Sequence, residues 1–161
     1  MARLALTLVL CTCACSSETP ADVAGTYTLS LTVQQNQCGI LANATGDSSS
    51  GVQLVVTQTG SQVSAQVQGV AGIALALVMG SDTFQGTVSG NTLDLTISGT
   101  LAGSNGTCAY TRNARLVADV SGDVITGSVT YSFATNKTAD CGIRDTCQDI
   151  QKFNGTRPPK V

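Results

Sequence analysis

The sequence predicts an all-β fold, an antiparallel up-and-down meander that closes into a small barrel of about eight strands. Three observations predict it. Apolar and polar residues alternate with period two along most of the chain, which puts one apolar face on each segment. Successive segments are separated by short glycine-containing turns, at Gly60-Ser61, Gly90-Asn91 and Gly122-Asp123. Composition also fits: 42% of residues are hydrophobic but only 11% are charged and 4% aromatic, so Leu, Val, Ile and Ala must fill the interior. A meander of this length closes most simply into a barrel, because closure removes unpaired strand edges. The 161 residues suit one domain with a real core.

Taken in order, residues 1–14 read as an export signal. Arg3 gives a positive start, and residues 4–10 form an apolar run too short to span a bilayer. The following Cys11-Thr-Cys-Ala-Cys15-Ser-Ser resembles a bacterial lipoprotein signal, in which a small residue precedes the cysteine that becomes the lipidated first residue. Cys15 fits best, since Ala14 stands before it and a Ser-rich tether follows over residues 15–23. Cys13 is the alternative: it has Leu10 three residues before it, where Cys15 has Thr12. The resemblance implies an exported protein anchored to a membrane by lipid, and Ser16 after the cysteine implies the outer membrane. The plainer alternative is a cleaved secretory signal with incidental cysteines.

The barrel domain is expected over residues 24–158, with 159–161 as a tail. Residues 25–33 form the first strand, with Tyr27, Leu29, Leu31 and Val33 on one face; residues 34–50 form a polar loop. Strands at 51–59 and 62–69 turn at Gly60-Ser61. Residues 70–79, VAGIALALVM, carry no alternation and fit a continued strand, a separate strand or a short buried helix. The clearest hairpin is 84–99, where Leu93, Leu95 and Ile97 alternate with Asp94, Thr96 and Ser98 across the Gly90-Asn91 turn. A Gly-rich loop at 99–106 leads to a long strand, 107–120, bent near Arg112-Asn113. A return strand follows at 124–133, then a polar loop at 134–146 and a last strand at 147–155. The segments VTQTGSQVSAQV, FQGTVSGNTLDL and FNGTRPP resemble the small lipocalin-like barrel lipoproteins of bacterial envelopes. True lipocalins carry Gly-x-Trp near the start; here Gly25-Thr26-Tyr27 stands in, and the chain has no Trp.

Outside the N-terminal segment four cysteines remain, Cys38, Cys108, Cys141 and Cys147, which in an exported domain read as two disulfides. If residues 62–79 count as one strand, all four lie at one rim of an eight-stranded meander. Neighbouring strands then favour Cys38–Cys147 with Cys108–Cys141; the rival is Cys141–Cys147 with Cys38–Cys108. A cysteine metal or redox site has no support from Cys-x-x-Cys spacing or from histidine.

The chain contains no histidine, which removes the commonest general base and metal ligand and forbids a Ser-His-Asp arrangement. The remaining acid–base candidates are Asp140, Asp145 and Asp149 near Arg144, against the plainer reading of turn-capping aspartates. Arg112 and Arg115 are candidates for an anionic head group if they face the lumen. Four Asn-x-Thr sequons, at Asn43, Asn105, Asn136 and Asn154, read as loop composition. The charge balance of eight basic against ten acidic residues leaves no basic patch, and all basic residues beyond Arg3 lie from Arg112 onward. Nucleic-acid binding is thereby disfavoured. These readings lead to a non-enzymatic envelope lipoprotein with a structural or interaction role, without cofactor or metal. The alternative is a barrel that holds a small apolar ligand; the expected partners are the membrane, such a ligand or another envelope protein.

Overall fold

The computed structural model describes residues 19–160, so the expected export signal and the expected lipidation at Cys15 lie outside the described residues. Nine antiparallel strands form: β1 Gly25–Asn36, β2 Ser48–Thr59, β3 Gln62–Val67, β4 Thr83–Ser89, β5 Thr92–Ile97, β6 Ala102–Asn105, β7 Cys108–Ser121, β8 Val124–Thr135 and β9 Asp149–Thr156. Eight of them close the barrel. β1 pairs with both β2 and β9, and β5 skips the short β6 to pair with β7.

Alternation does what period two requires. In β5, Leu93, Leu95 and Ile97 are buried while Thr92, Asp94 and Thr96 face water. Each fully buried Val, Leu or Phe side chain contributes about 1.5–3 kcal/mol relative to exposure. The Gly60-Ser61, Gly90-Asn91 and Gly122-Asp123 turns share one chemistry. The glycine takes φ of 60°, 52° and 60° respectively, while the residue after it does not take positive φ. This is the pattern of type II′ turns, whose twist suits a tight hairpin.

Those three turns sit at one end of the barrel, which is closed. Residues 21–24 cross it, with Ala21 N–H donating to Gly90 O (2.8 Å) and Val23 N–H to Gln58 Oε1 (2.8 Å). Arg157, only 9% exposed, donates to the carbonyls of Asp22, Ala24 and Gly122, pairs with Asp123 at 3.2 Å and lies 5.4 Å from the Tyr27 ring centroid. Arg157, in the C-terminal FNGTRPP segment, thus plugs the end where the described chain begins.

The opposite rim differs from the expectation. Residues 69–79 form helix α1 (Gly69–Met79), neither a continued nor a separate strand. The physical reason is local. Alternation stops at Gln68, Gly69 turns the backbone at φ 67°, and the run that follows is rich in Ala and Leu, which favour helix. The strand count is unaffected, because Gln66 pairs with Thr83 and the helix is one excursion between β3 and β4. Among the described residues no helix is long and apolar enough to cross a membrane.

Other boundaries move. The long loop after the first strand is shorter than expected, since β1 runs to Asn36 and β2 begins at Ser48. The Gly-rich loop contains β6, which pairs with the first residues of β7. From Ala114 onward β7 pairs instead with β5, so the expected bend at Arg112-Asn113 falls where its partner changes. The polar loop after β8 holds a 3-10 helix, Ala139–Asp145, and the last strand starts at Asp149.

Candidate functional site

The helix and all four cysteines share one rim. Cys38 bonds to Cys147 and Cys108 to Cys141, with Cα–Cα distances of 5.1 and 4.9 Å. The first bridge spans the β1–β9 seam, where the two ends of the chain's meander meet. The second ties the start of β7 to the 3-10 helix after β8.

Beneath this rim lies a cavity of about 400 Å³. Leu29, Leu54, Phe84, Leu116, Val129 and Phe153 line it from the barrel, and Val70, Ala71, Ala74, Leu75 and Val78 line it from α1. Its described lining contains no charged side chain; the polar members are Asn43, Ser49, Tyr131 and Gln151. Ala42, Asn43, Ser49, Val70 and Ala74 are also exposed, so the cavity reaches solvent between α1 and the β1–β2 loop with the start of β2. The closed half is filled by Tyr27, Leu93, Leu95 and Ile125, each fully buried.

Helix α1 carries no polar side chain. Gly72 seats it, with its backbone so close to β3 that an added Cβ would stand 2.1 Å from the Val67 carbonyl oxygen. Its C-terminal carbonyls are satisfied in turn. Gly80 N–H donates to Ala76 O (2.8 Å), Arg112 Nη1 to Val78 O (2.9 Å) and the Thr100 hydroxyl to Met79 O. A cation at a helix C-terminus is favourable electrostatically. The outer face is unpartnered: Val70, Ile73 and Leu77 are 84%, 64% and 75% exposed.

The loop over residues 37–47, between β1 and β2, is held by two polar residues. Asp149 is fully buried at the start of β9, and its carboxylate accepts the backbone N–H groups of Cys38 (2.6 Å), Ile40 (2.8 Å) and Leu41 (3.4 Å). The Asn36 amide donates to the carbonyls of Leu41 (3.2 Å) and Asn43 (2.5 Å).

The candidate acid–base residues are not brought together as a reactive set. Asp140 accepts the Thr107 N–H and hydroxyl, both at 2.7 Å, which hold its carboxyl below the usual carboxylate range. Asp145 accepts from Thr135 and lies 3.5 Å from Lys137 Nζ. Asp149 clamps a loop, as above, so it is not a member of a solvated turn. Arg144 stacks over Tyr110 and Phe133, 5.1 and 5.9 Å from their centroids, and leaves the aspartates to other partners. Nor does either arginine face the lumen as an anion site: Arg112 caps α1, and Arg115 pairs outside with Asp94 at 2.6 Å. Among the described residues no group of three or more Cys, Asp or Glu side chains has metal-binding geometry.

Sequence reasoning named Asp149 only as an acid–base or turn-capping candidate, missing its buried place, and did not single out Gln151. Counting back in twos from Phe153 along the last strand puts both on its inward face, and a polar residue on an apolar face was the available signal. No family model matches the chain, and neither a curated protein nor a solved structure matches it.

Proposed function

We propose that this protein is a non-catalytic binding module that holds a small apolar ligand in the upper half of its barrel. The observation that carries the reading is the apolar cavity of about 400 Å³ under α1. That volume lies in the range of small-molecule sites, about 300–1,000 Å³, which are mostly apolar with a few placed polar groups. At about 30 Å³ per molecule in the liquid, the same space would take roughly a dozen waters, with few polar partners to hold them. A ligand is the better occupant. The ligand would enter through the opening beside α1, where Ala42, Asn43, Ser49, Val70 and Ala74 both line the cavity and are exposed.

The proposal includes the setting read from the sequence, an exported lipocalin-like lipoprotein of the outer membrane lipidated at Cys15. Because residues 21–24 cross the closed end, such an anchor would leave the mouth facing away from its own membrane. A second reading, an interaction role at the rim, is favoured by the exposed apolar face of Val70, Ile73 and Leu77. The test is uptake of N-phenyl-1-naphthylamine, a neutral apolar dye that fluoresces out of water, by the exported, oxidised protein. Saturable uptake at one site per chain, reduced by Val129→Trp in the cavity wall, is the expected result. Absence of uptake, or uptake lost only with Ile73→Gln and Leu77→Gln on the outer face, favours the rim interaction instead.

A further inference from the structure

The cavity contains one polar pair that is incomplete. Tyr131 on β8 and Gln151 on β9 are diagonal neighbours, Tyr131 lying opposite Asp149 and Gln151 opposite Val129, and the Tyr131 hydroxyl donates to Gln151 Oε1 at 3.1 Å. Burial first, and then the charge of Asp149, raise the Tyr131 pKa well above the ordinary phenol value. The hydroxyl therefore keeps its proton and acts as a donor, and Gln151 Oε1 is its one acceptor among the described residues. That bond orients the amide. Gln151 Nε2, with two N–H groups, has no hydrogen-bond acceptor among the described residues, although the residue is only 9% exposed and lines the cavity. Among the described residues every fully buried side-chain nitrogen and oxygen has a partner, so Gln151 Nε2 is not fully buried and opens onto the cavity space. An amide donor in apolar surroundings is costly until something accepts from it.

Charge narrows what that partner is. The described lining carries no cationic side chain, and the buried Asp149 carboxylate stands two residues from Gln151 on the same strand. An anionic head would lose its water and find no counter-charge. A carbonyl or ester oxygen accepts from Nε2 and brings no donor of its own that would need a further acceptor.

Building on the cavity reading, we propose that the ligand is an uncharged amphiphile whose carbonyl or ester oxygen accepts from Gln151 Nε2, with its apolar body against Leu29, Leu54, Phe84 and Phe153. Gln151 is thereby the specificity-determining residue, and Tyr131 the residue that orients it.

The experiment is displacement of N-phenyl-1-naphthylamine from the exported, oxidised protein by three probes of similar size. Hexanophenone has a ketone, hexylbenzene lacks it, and 4-pentylbenzoate is an anion at pH 7. Gln151→Leu, which keeps the volume and removes the donors, should weaken hexanophenone between about two- and tenfold relative to its effect on hexylbenzene, the worth of one net hydrogen bond. 4-Pentylbenzoate should compete at least about tenfold less well than hexanophenone, as expected for an unpaired anion. Tyr131→Phe keeps Nε2 but releases the bond that orients the amide, and should weaken hexanophenone by less than Gln151→Leu does. Equal weakening of both neutral probes by Gln151→Leu overturns the proposal, as does an anion that competes as well as the ketone. A Tyr131→Phe loss as large as that of Gln151→Leu overturns it too, by assigning the carbonyl to the phenol. One arm needs no variant: the infrared carbonyl band of hexanophenone bound to the native protein should lie below its position in hexane, and an unshifted band refutes the hydrogen bond. If the native protein takes up no dye at all, the cavity reading itself fails, which separates the two outcomes.

Discussion

Removing the two disulfides one at a time should separate their contributions by loop length. Cys38–Cys147 joins residues 109 apart and Cys108–Cys141 residues 33 apart, the second loop lying inside the first. The cross-link restricts the unfolded chain, and in the chain-entropy account its effect grows with the logarithm of the loop it closes. With the inner bridge intact, the outer one closes an effective loop of roughly 76 residues, worth about 4.5 kcal/mol, whereas the inner bridge is worth about 3.7 kcal/mol. The native state is little changed in the first case, because Asp149 still holds the backbone of Cys38, Ile40 and Leu41. The perturbation is Cys38→Ser with Cys147→Ser in one variant and Cys108→Ser with Cys141→Ser in another. The assay is equilibrium urea unfolding without reductant. Both variants should show steeper transitions, since the unlinked chain exposes more surface, and the outer-bridge variant should be the less stable by close to 1 kcal/mol. Against a total of about 5–15 kcal/mol for an ordinary domain, losing both should leave the chain marginal or unfolded. The reasoning is refuted if the inner-bridge variant is the less stable, or if either loss costs under about 1 kcal/mol.

Three further predictions concern the two ends of the barrel and helix α1. Arg157→Met should cost about 2–4 kcal/mol by urea unfolding, because the buried guanidinium serves three carbonyls and Asp123; a cost within the surface range of about 0.5 kcal/mol would contradict its role as the plug. Tyr131 and Tyr27 both have raised pKa values in the folded state through burial. Their contribution is therefore complete below the unfolded tyrosine value of about 10 and is lost as pH climbs above it, so urea midpoints should fall on the alkaline side and fall less steeply in Tyr131→Phe. Gly72→Ala should destabilise, although Gly to Ala inside a helix ordinarily stabilises by about 0.5–1 kcal/mol. The new Cβ meets the Val67 carbonyl at 2.1 Å and lifts α1 from β3, which faster amide hydrogen exchange over 70–79 would register; a more stable variant would show the seat to be loose.

The barrel was legible because its signals are local. Alternation in residues 92–97 and a glycine at the first position of each tight turn determine strand, face and hairpin together, and the cysteine rim follows from counting strands. Helix α1 was less legible because VAGIALALVM is apolar on every side, so periodicity had nothing to report; Gly69 and the Ala-Leu run were the usable signs. The strand bounds near residues 48 and 102 depend on pairing across the sheet, which no local pattern carries. The cavity was foreshadowed only by the shortage of aromatics. Gln151 and the burial of Asp149 escaped because polar residues in a strand are ordinarily read as outward, and only the register with Phe153 turns them in.

The central claim is that the barrel is a container. Native mass spectrometry of the exported, oxidised protein, taken directly from cells and again after denaturation, tests it most directly. The account predicts a discrete extra mass, lost on denaturation, that belongs to a neutral molecule small enough for a cavity of about 400 Å³. A bare mass, in a sample that also fails to take up an apolar ketone when one is supplied, would contradict it.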